Sequence, residues 1–427
     1  MGQSFNASTY DDDLQRVGRR HAFEMPLDDI DPSDPCLIEN NTVLHYFERL
    51  RRDDPVHLTH SKLFGQFWSV TRYQDIMHVD TQHDVFSSEL SKGGPTLVYV
   101  GRPQEGLFPT FIAMDPPAHD EKRKVVAPIV GPTNLRNLEG LIRQRTRTVL
   151  DALPRNETFD WVERVSVELT TMMLATLFDF PMEDRKLLTW WSNVISSVPE
   201  VDGIVSSEAA RIEVIMEMAN YFQKLWAQRK NGPSAPDLVS MLSQGDATRD
   251  MPFREFIGNL GLLIVGGNDT TRNSMSGSVL ALNQHRQEYE KLRANPSLVS
   301  SFVPEVVRWQ TPLTLMARTA IADAVVGGKH IRQGDRVVMW YVSGNRDDSV
   351  IEDAHRFIVD RHNPRKHLSF GFGIHRCVGN RLAELQLRIL WEELLANFPF
   401  IEVVAEPVRV RSHFLRGFKH LPVRIPR

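Results

Sequence analysis

The pattern of apolar and polar positions predicts a chain built mainly of α-helices. Apolar residues recur at helical spacing through most of residues 134–285, and prolines and glycines interrupt the pattern where helices would end. The longest pattern runs from about Pro252 to Gln284, and another begins at Cys377. β-like runs are short, as at residues 66–71. We therefore expect a mainly α fold with small β-sheets.

One hairpin and one domain are expected within this pattern. β-branched residues flank Gly327-Gly328, which predicts a β-hairpin over residues 319–341. Residues 1–22 are polar and mixed in charge, so we expect a flexible N-terminal extension there. No repeat, low-complexity tract or linker divides the remainder, which predicts a single domain over residues 23–427.

Composition narrows the class of protein. The chain has 427 residues, 41% hydrophobic and 24% charged, as is usual for a globular protein with a large core. A net charge of −4 gives no indication of nucleic-acid binding. Apolar stretches stay well short of the roughly 20 residues that a membrane span needs. Only two cysteines are present, which is typical of a reducing compartment, and no secretory pattern is visible, so we expect a cytoplasmic protein.

The most informative segment is Phe370 to Gly379, which reads FGFGIHRCVG. Cys377 lies just before a predicted helix, and a helix N-terminus favours a thiolate and lowers the thiol pKa. Gly371 and Gly373, with Gly379 beyond the cysteine, remove side chains where a flat ligand would approach the backbone. For these reasons we interpret Cys377 as the proximal ligand of a haem iron. Thiolate ligation favours O–O cleavage, so this ligand would indicate oxygen activation. A buried free thiol is the alternative.

The middle of the long helical pattern, Gly266 to Thr271, reads GGNDTT and consists of poor helix formers. Apolar positions keep helical spacing on both sides, so we expect a local distortion that serves a functional site. Gly266 leaves room for a planar group against the helix. Asp269 and Thr270 place an acid beside an alcohol, the parts of a proton relay to bound dioxygen. The alternative is a kinked core helix with a capped polar patch.

A further pair of charges, Glu305 and Arg308, is spaced to lie on one helix face among apolar residues. Such pairs are usually solvated and contribute little to stability. The apolar surroundings favour a buried structural pair, which needs additional partners, and Arg356 is the candidate.

Four cationic side chains are candidates for binding the two propionates of a haem. His119 and Arg123 follow a Pro-Pro pair and lie four residues apart, on one face of a helix that begins there. Arg318 and His375 are the further candidates, because charge-assisted hydrogen bonds suit carboxylates. For each residue taken alone, a solvated surface position is the alternative.

Together these segments resemble the motif set of the cytochrome P450 monooxygenases. The resemblance includes Asn345-Arg346-Asp347 and extends over about residues 40–427. It implies a single-domain, mostly helical fold with haem b between the long helix and the cysteine loop, and O2 as co-substrate. The candidate haem contacts are His119, Arg123, Gly266, Arg318, Phe370, Gly371, His375, Cys377 and Gly379.

Three stretches carry a narrower resemblance, to the bacterial alkane and fatty-acid terminal hydroxylases. They are Asn268–Gly277, Gly379–Glu393 and Arg416–Pro422. This resemblance implies terminal hydroxylation of medium- or long-chain alkanes or fatty acids. The predicted pocket has few polar side chains, which suits long aliphatic chains. The predicted pocket residues are Leu97, Val98, Val100, Leu107, Phe111, Leu262, Leu263, Leu315, Met316, Phe414 and Leu415.

Electrons are expected from separate proteins, because the sequence contains no flavin motif and no cysteine cluster. We expect an iron–sulfur ferredoxin and its reductase, supplied by NAD(P)H, to dock on a basic face. The residues expected on that face are Arg361, Arg365, Lys366, Arg376 and Lys122–Lys124. Two other functions stay open: oxidation of a terpenoid or sterol side chain, and a haem-thiolate gas sensor without turnover.

Overall fold

The computed structural model describes residues 5–7, 9–103 and 106–426. Helices dominate, as the apolar pattern predicts. The α-helices of the described residues are α1 (Asp12–Glu24), α2 (Pro35–Glu39), α3 (Val43–Asp53), α4 (Tyr73–Thr81), α5 (Ala118–Val126), α6 (Pro132–Asp151), α7 (Glu168–Phe178), α8 (Lys186–Ile195), α9 (Pro199–Asp202), α10 (Glu208–Lys230), α11 (Leu238–Gln244), α12 (Phe253–Gln284), α13 (Arg286–Ala294), α14 (Val299–Gln310), α15 (Tyr341–Gly344) and α16 (Asn380–Asn397).

Short strands form one larger and several small sheets. The strands are β1 (Val56–Ser61), β2 (Gly65–Val70), β3 (Phe86–Ser87), β4 (Thr158–Asp160), β5 (Met316–Ala320), β6 (Ala324–Val326), β7 (Lys329–Ile331), β8 (Arg336–Met339), β9 (Glu402–Val403), β10 (Val408–Arg409), β11 (Phe418–His420) and β12 (Pro422–Arg424). A five-stranded sheet has the order β1-β2-β8-β5-β3, and β4-β12-β9 form a three-stranded sheet.

The predicted hairpin over residues 319–341 is confirmed. Gly327 and Gly328, both at positive φ, close a turn between β6 and β7. The outer parts of the two arms, β5 and β8, pair antiparallel with each other in the same register. Pairing of β8 with β2 and of β5 with β3 then places these outer arms inside the five-stranded sheet.

The expectation of a flexible extension over residues 1–22 does not hold for residues 12–22, which form most of α1. This helix packs against α3, where Arg19 forms an ion pair with Glu48. A Cβ on Gly18 would lie 2.6 Å from Cγ2 of Thr42, so the absence of a side chain permits the close approach. Tertiary packing thus orders a segment whose polar composition favoured disorder.

The long helix α12 runs without interruption for 32 residues, or about 48 Å. The helix continues through Gly266–Thr271, where the hydroxyl of Thr270 donates to the carbonyl of Gly266. Packing against α7, α8 and α14 supports the poor helix formers. At Gly267, a Cβ would lie 2.6 Å from Cδ2 of Leu174, so the glycine permits helix contact there. Across the described residues, each helix is too short or too polar to cross a bilayer.

Candidate functional site

A cavity of about 240 Å³ lies between α12 and the segment that precedes α16. Gly266 and Thr270 line it from α12, whereas Gly371 and Cys377 line it from the preceding segment. The two segments that the sequence singled out therefore meet at one cavity. The predicted residues that line this cavity are Phe111, Arg123, Leu262, Leu263, Gly266, Thr270, Met316, Arg318, Phe370, Gly371, His375, Cys377 and Gly379.

The cysteine loop presents one sulfur atom at the cavity wall. Cys377 lies three residues before α16 begins at Asn380, and its side chain is open to the cavity. Its backbone N–H donates to the carbonyl of Phe370 at 2.8 Å, which closes the loop. Gly371 and Gly373 have φ of 66° and 63°, a conformation that glycine adopts without strain. The loop is therefore shaped by backbone features that the glycine spacing encodes.

The pKa of the Cys377 thiol differs from the sequence expectation. Burial raises this pKa above its ordinary value, and the backbone N–H groups of Gly379 and Asn380 oppose the rise only in part. Arg123 and Arg376 also favour the thiolate, but they do not cancel the effect of burial on the pKa. The helix N-terminus alone therefore does not ionise the sulfur. A coordinating metal ion displaces a thiol proton outright, so the metal would supply the ionisation.

Two neutral histidines lie in contact beside the cavity. The rings of His119 and His375 pack edge to face with centroids 4.3 Å apart, and His375 lines the cavity. Burial lowers the pKa of His375 to about 2 and also lowers the pKa of His119. Within the described part of the chain, Nε2 of His119 and both ring nitrogens of His375 have no hydrogen-bond partner. A ligand with carboxylates would supply an acceptor for the one N–H of the neutral His375.

The residues at this cavity fit a haem. A Cβ on Gly266 would meet no atom within 4 Å, so the α12 side leaves space for a flat group. The sulfur of Cys377 offers one axial ligand, and Arg123 and Arg318 line the cavity as cationic partners for propionates. Together with the unpartnered nitrogens of His375, these residues offer a ligand for the iron and partners for the propionates.

The acid and the alcohol of α12 point in different directions. Thr270 lines the cavity, and its hydroxyl donates to the carbonyl of Gly266 at 3.0 Å. Asp269 is fully buried, lies 2.9 Å from Arg272 and accepts a 3.3 Å hydrogen bond from Ser196 beyond α8. Consecutive helical residues do not face each other, so adjacency in sequence did not place both groups on the cavity.

Glu305 and Arg308 form the predicted buried pair, but the third partner is Arg361 rather than Arg356. Glu305 accepts from Nε of Arg308 at 2.7 Å and from Nε of Arg361 at 2.9 Å. The side chain of Arg356 is exposed and pairs with Asp353, and only its backbone carbonyl accepts from Arg308. Arg361 lies 56 positions from Glu305 in the sequence, so local spacing could not indicate this contact.

This buried pair supports the cysteine loop. Arg308 donates to the carbonyl of Asn345 at 2.8 Å, and the amide of Asn345 binds the N–H of Leu368 and the hydroxyl of Ser369. Ser369 also donates to the carbonyl of Val307 in α14 at 2.8 Å. The loop that carries the sulfur is therefore hydrogen-bonded to the same helix that carries the ion pair.

Several predicted pocket residues lie elsewhere. Leu97 and Leu315 are buried in an apolar cluster with α3, and Phe414 packs against that cluster. Val100 is 68% exposed. The other predicted residues outside the cavity lining are Val98, Leu107 and Leu415. Apolar character alone does not tell a core position from a pocket position, because both bury the same side chains.

Helices α7 and α11 contribute lining residues that were not predicted from the sequence, Leu174, Leu177 and Leu238. Leu174 and Leu177 lie three residues apart, which puts them on one face of α7. That spacing was visible in the sequence, but nothing local indicated that this face meets α12. Ile112 and Val130 also line the cavity.

The predicted basic face is smaller than expected. Arg361 belongs to the Glu305 cluster, and Lys122 is bound to Glu255 of α12 at 2.5 Å. Arg123 lines the cavity. Arg365 is exposed but forms an ion pair with Glu384, and Lys124, Lys366 and Arg376 are exposed.

Comparisons with known proteins show the family of the chain. Residues 40–418 match the family model described as Cytochrome P450. The chain is 36% identical to linalool 8-monooxygenase of Pseudomonas putida over 402 residues, which cover 92% of this chain and 98% of that protein. It is 30% identical to steroid C26-monooxygenase of Mycolicibacterium smegmatis over 415 residues, which cover 92% and 93% of the two chains.

Two solved structures are similar over almost their whole length. Cytochrome P450-153 from Novosphingobium aromaticivorans is 42% identical with a TM-score of 0.86, and the match covers 92% of this chain and 98% of that chain. CYP153D17 from Sphingomonas sp. PAMC 26605 is 45% identical with a TM-score of 0.87, covering 93% and 99%. The chain therefore belongs to the cytochrome P450 family of haem-dependent monooxygenases.

Proposed function

We propose that this monooxygenase hydroxylates the terminal carbon of medium- or long-chain alkanes or fatty acids, and that Cys377 would supply the sulfur ligand of haem b. The observation that carries the proposal is the cavity itself, with Cys377 at one wall and Thr270 among apolar side chains at another. Thiolate-ligated haem supplies activation of O2 when it is bound. The contribution of the chain is then to hold the haem, exclude water, orient the substrate and deliver protons.

The haem would be held by cationic and hydrogen-bonding side chains at the cavity. His375, whose ring nitrogens lack a partner, would donate a ring N–H to a propionate, and Arg123 and Arg318 would add charge-assisted bonds. His119 would donate through Nε2 only if its proton moved from Nδ1, which lies 2.8 Å from a carboxylate oxygen of Asp120. Because burial keeps both histidines neutral, the two arginines carry the positive charge that balances the propionates.

Thr270 would guide protons at the cavity. Its hydroxyl donates to the carbonyl of Gly266, and the same side chain lines the cavity, so a rotated hydroxyl would donate into the cavity instead. Asp269 would supply protons from the other side of α12, where it meets Arg272 and Ser196. The chain of proton transfer would then pass around the helix rather than directly between adjacent side chains.

Replacing Thr270 with alanine is expected to waste electrons as hydrogen peroxide. Product formed per NAD(P)H should fall on the order of tenfold or more, since a positioned proton donor contributes at least that much. The measurement compares NAD(P)H consumed, peroxide released and alcohol formed. Thr270→Ser is the matched control because it keeps the hydroxyl, and it should remain coupled. Coupling that survives in the alanine variant removes Thr270 from the relay.

The substrate class follows from the lining of the cavity. Leu174, Leu177 and Leu238 line it together with Leu262 and Leu263, so an aliphatic chain would meet almost only carbon. Such a pocket gives little polar orientation, so selection of the terminal carbon would come from shape alone. The resemblance to the bacterial alkane and fatty-acid terminal hydroxylases supports the same substrate class.

A substrate panel tests this class against the alternative of a terpenoid or sterol side chain. The alternative is favoured by the relatives named linalool 8-monooxygenase and steroid C26-monooxygenase. Dodecane and dodecanoic acid are expected to shift the haem spectrum and to give terminal alcohols, identified by mass spectrometry. Linalool and cholestenone should bind more weakly, by about tenfold or more. Exclusively subterminal alcohols, or preferred turnover of linalool or cholestenone, would contradict the proposal.

Electrons would come from an iron–sulfur ferredoxin and its reductase, supplied by NAD(P)H. Lys124, Lys366 and Arg376 are exposed and would form a smaller basic face than predicted, on which an acidic partner would dock. A cytoplasmic location suits such partners and the two cysteines of the chain.

A further inference from the structure

Asp80, a residue that the sequence analysis did not single out, connects three parts of the cavity wall. It lies in the last turn of α4 and is 3% exposed. Its Oδ1 accepts from Nη2 of Arg318 in β5 at 2.8 Å. Its Oδ2 accepts from the hydroxyl of Tyr341 at 2.9 Å and from the N–H of Phe372 at 2.8 Å. Arg318 and Tyr341 both line the cavity.

The cysteine loop also wraps around the backbone of Asp80. A Cβ on Gly373 would lie 2.4 Å from the Asp80 carbonyl oxygen, and a Cβ on Gly371 would lie 3.4 Å from Oδ2. Both glycines have positive φ. The loop therefore passes over one residue of α4, and at Gly373 only the absence of a side chain allows so close an approach. The Asp80 carboxylate binds the loop between Gly371 and Gly373, at the N–H of Phe372.

The three donors to Asp80 favour its ionised form. Burial raises the pKa of Asp80 above its ordinary value, and Arg318 with the two hydrogen-bond donors offsets only part of that rise. Burial and Asp80 together raise the pKa of Tyr341 well above its ordinary value, so the phenol keeps its proton and donates. Arg318 thus faces the cavity as a cation whose charge is offset by one buried carboxylate.

We propose that Asp80 is a positioning residue of the haem site, which fixes the place of Arg318 and of the cysteine loop and offsets the positive charge that Arg318 presents to the haem. This inference rests on the proposed haem site. It adds to that site an electrostatic role for a residue that does not line the cavity. A carboxylate that holds a residue in contact with a metal group tunes that group through the residue it holds.

Removing one or the other charge of the Asp80–Arg318 pair should shift the reduction potential of the haem in opposite directions. Asp80→Asn leaves the cation of Arg318 unbalanced, which favours the reduced haem, so the reduction potential should move to a more positive value. Arg318→Gln leaves the carboxylate unbalanced, so the potential should move to a more negative value. In the double variant a neutral amide pair replaces the ion pair, and the potential should return towards that of the wild type. A merely structural role would not produce opposite signs.

The rate of haem loss gives a second readout, measured by transfer to excess apomyoglobin. Asp80→Asn should lose haem about 10- to 100-fold faster than the wild type, as for other residues that hold a metal-site ligand. Asp75→Asn is the matched control on the same helix, and it should keep wild-type haem retention and potential. If Asp80→Asn alone does not fold, the double variant with Arg318→Gln should restore a haem-binding protein, because neither charge is then buried alone.

Two results would overturn the inference while leaving the proposed function intact. In the first, the wild-type protein binds haem, but the Asp80→Asn variant has the same reduction potential and the same rate of haem loss as the Asp75→Asn variant. The other is a double variant in which the separate increases in the rate of haem loss simply multiply, since contacting residues that act together are not additive. A wild-type protein that takes up no haem overturns the proposed function and this inference together.

Discussion

Replacing Glu305 with glutamine is expected to lower the free energy of unfolding by about 3–5 kcal/mol. Glu305 is fully buried and accepts from Arg308 and Arg361, so its neutralisation leaves two guanidinium groups without their carboxylate. The Glu305 carboxylate also accepts from the N–H of Ile358 at 2.9 Å. The urea midpoint, followed by circular dichroism, measures the change, and haem content should fall with it because the cluster supports the cysteine loop.

The matched control for this prediction is Glu290→Gln. Glu290 forms an ion pair with Arg286 on the surface of α13 and is 65% exposed. Solvent-exposed pairs contribute about 0–1 kcal/mol, so the urea midpoint should hardly move. Equal shifts for the two variants would show that the buried cluster contributes no more than a surface pair, and the account of how the loop is supported would be wrong.

Cys377→Ser is expected to abolish substrate hydroxylation. Serine keeps the size of the side chain but removes the thiolate that favours O–O cleavage. Cys36→Ser is the matched control, since these two are the only cysteines of the chain. The measurement is alcohol formed per haem, with ferredoxin and reductase supplied. Full activity in the Cys377 variant, or an equal loss in the Cys36 variant, would contradict the assignment of the ligand.

Local patterns predicted the parts of the site that local structure determines. The glycine spacing around Cys377 encodes positive φ at Gly371 and Gly373, and the loop follows from it. The apolar spacing of α12 predicted that helix almost to the residue. It also placed Gly266 and Thr270, because residues four apart share a helix face.

The parts that were wrong or missed depend on contacts between distant segments. Arg361 reaches Glu305 across 56 positions of sequence, and Arg318 reaches Asp80 across 238. Leu97 resembles a pocket residue in sequence, but packing of α3 makes it part of the core. Asp269 is adjacent to a cavity residue in sequence, and helical geometry turns it away. In each case, the deciding partner lies outside the window that a local pattern covers.

The spectrum of the purified protein, loaded with haem, reduced and bound to CO, tests the central claim most directly. A thiolate trans to CO shifts the main absorption band strongly to the red, whereas imidazole or oxygen ligands do not. We expect the red-shifted band in the wild type and in Cys36→Ser, and its loss in Cys377→Ser. A wild-type protein that binds haem without this band, or a Cys377→Ser variant that keeps it, would contradict sulfur ligation by Cys377.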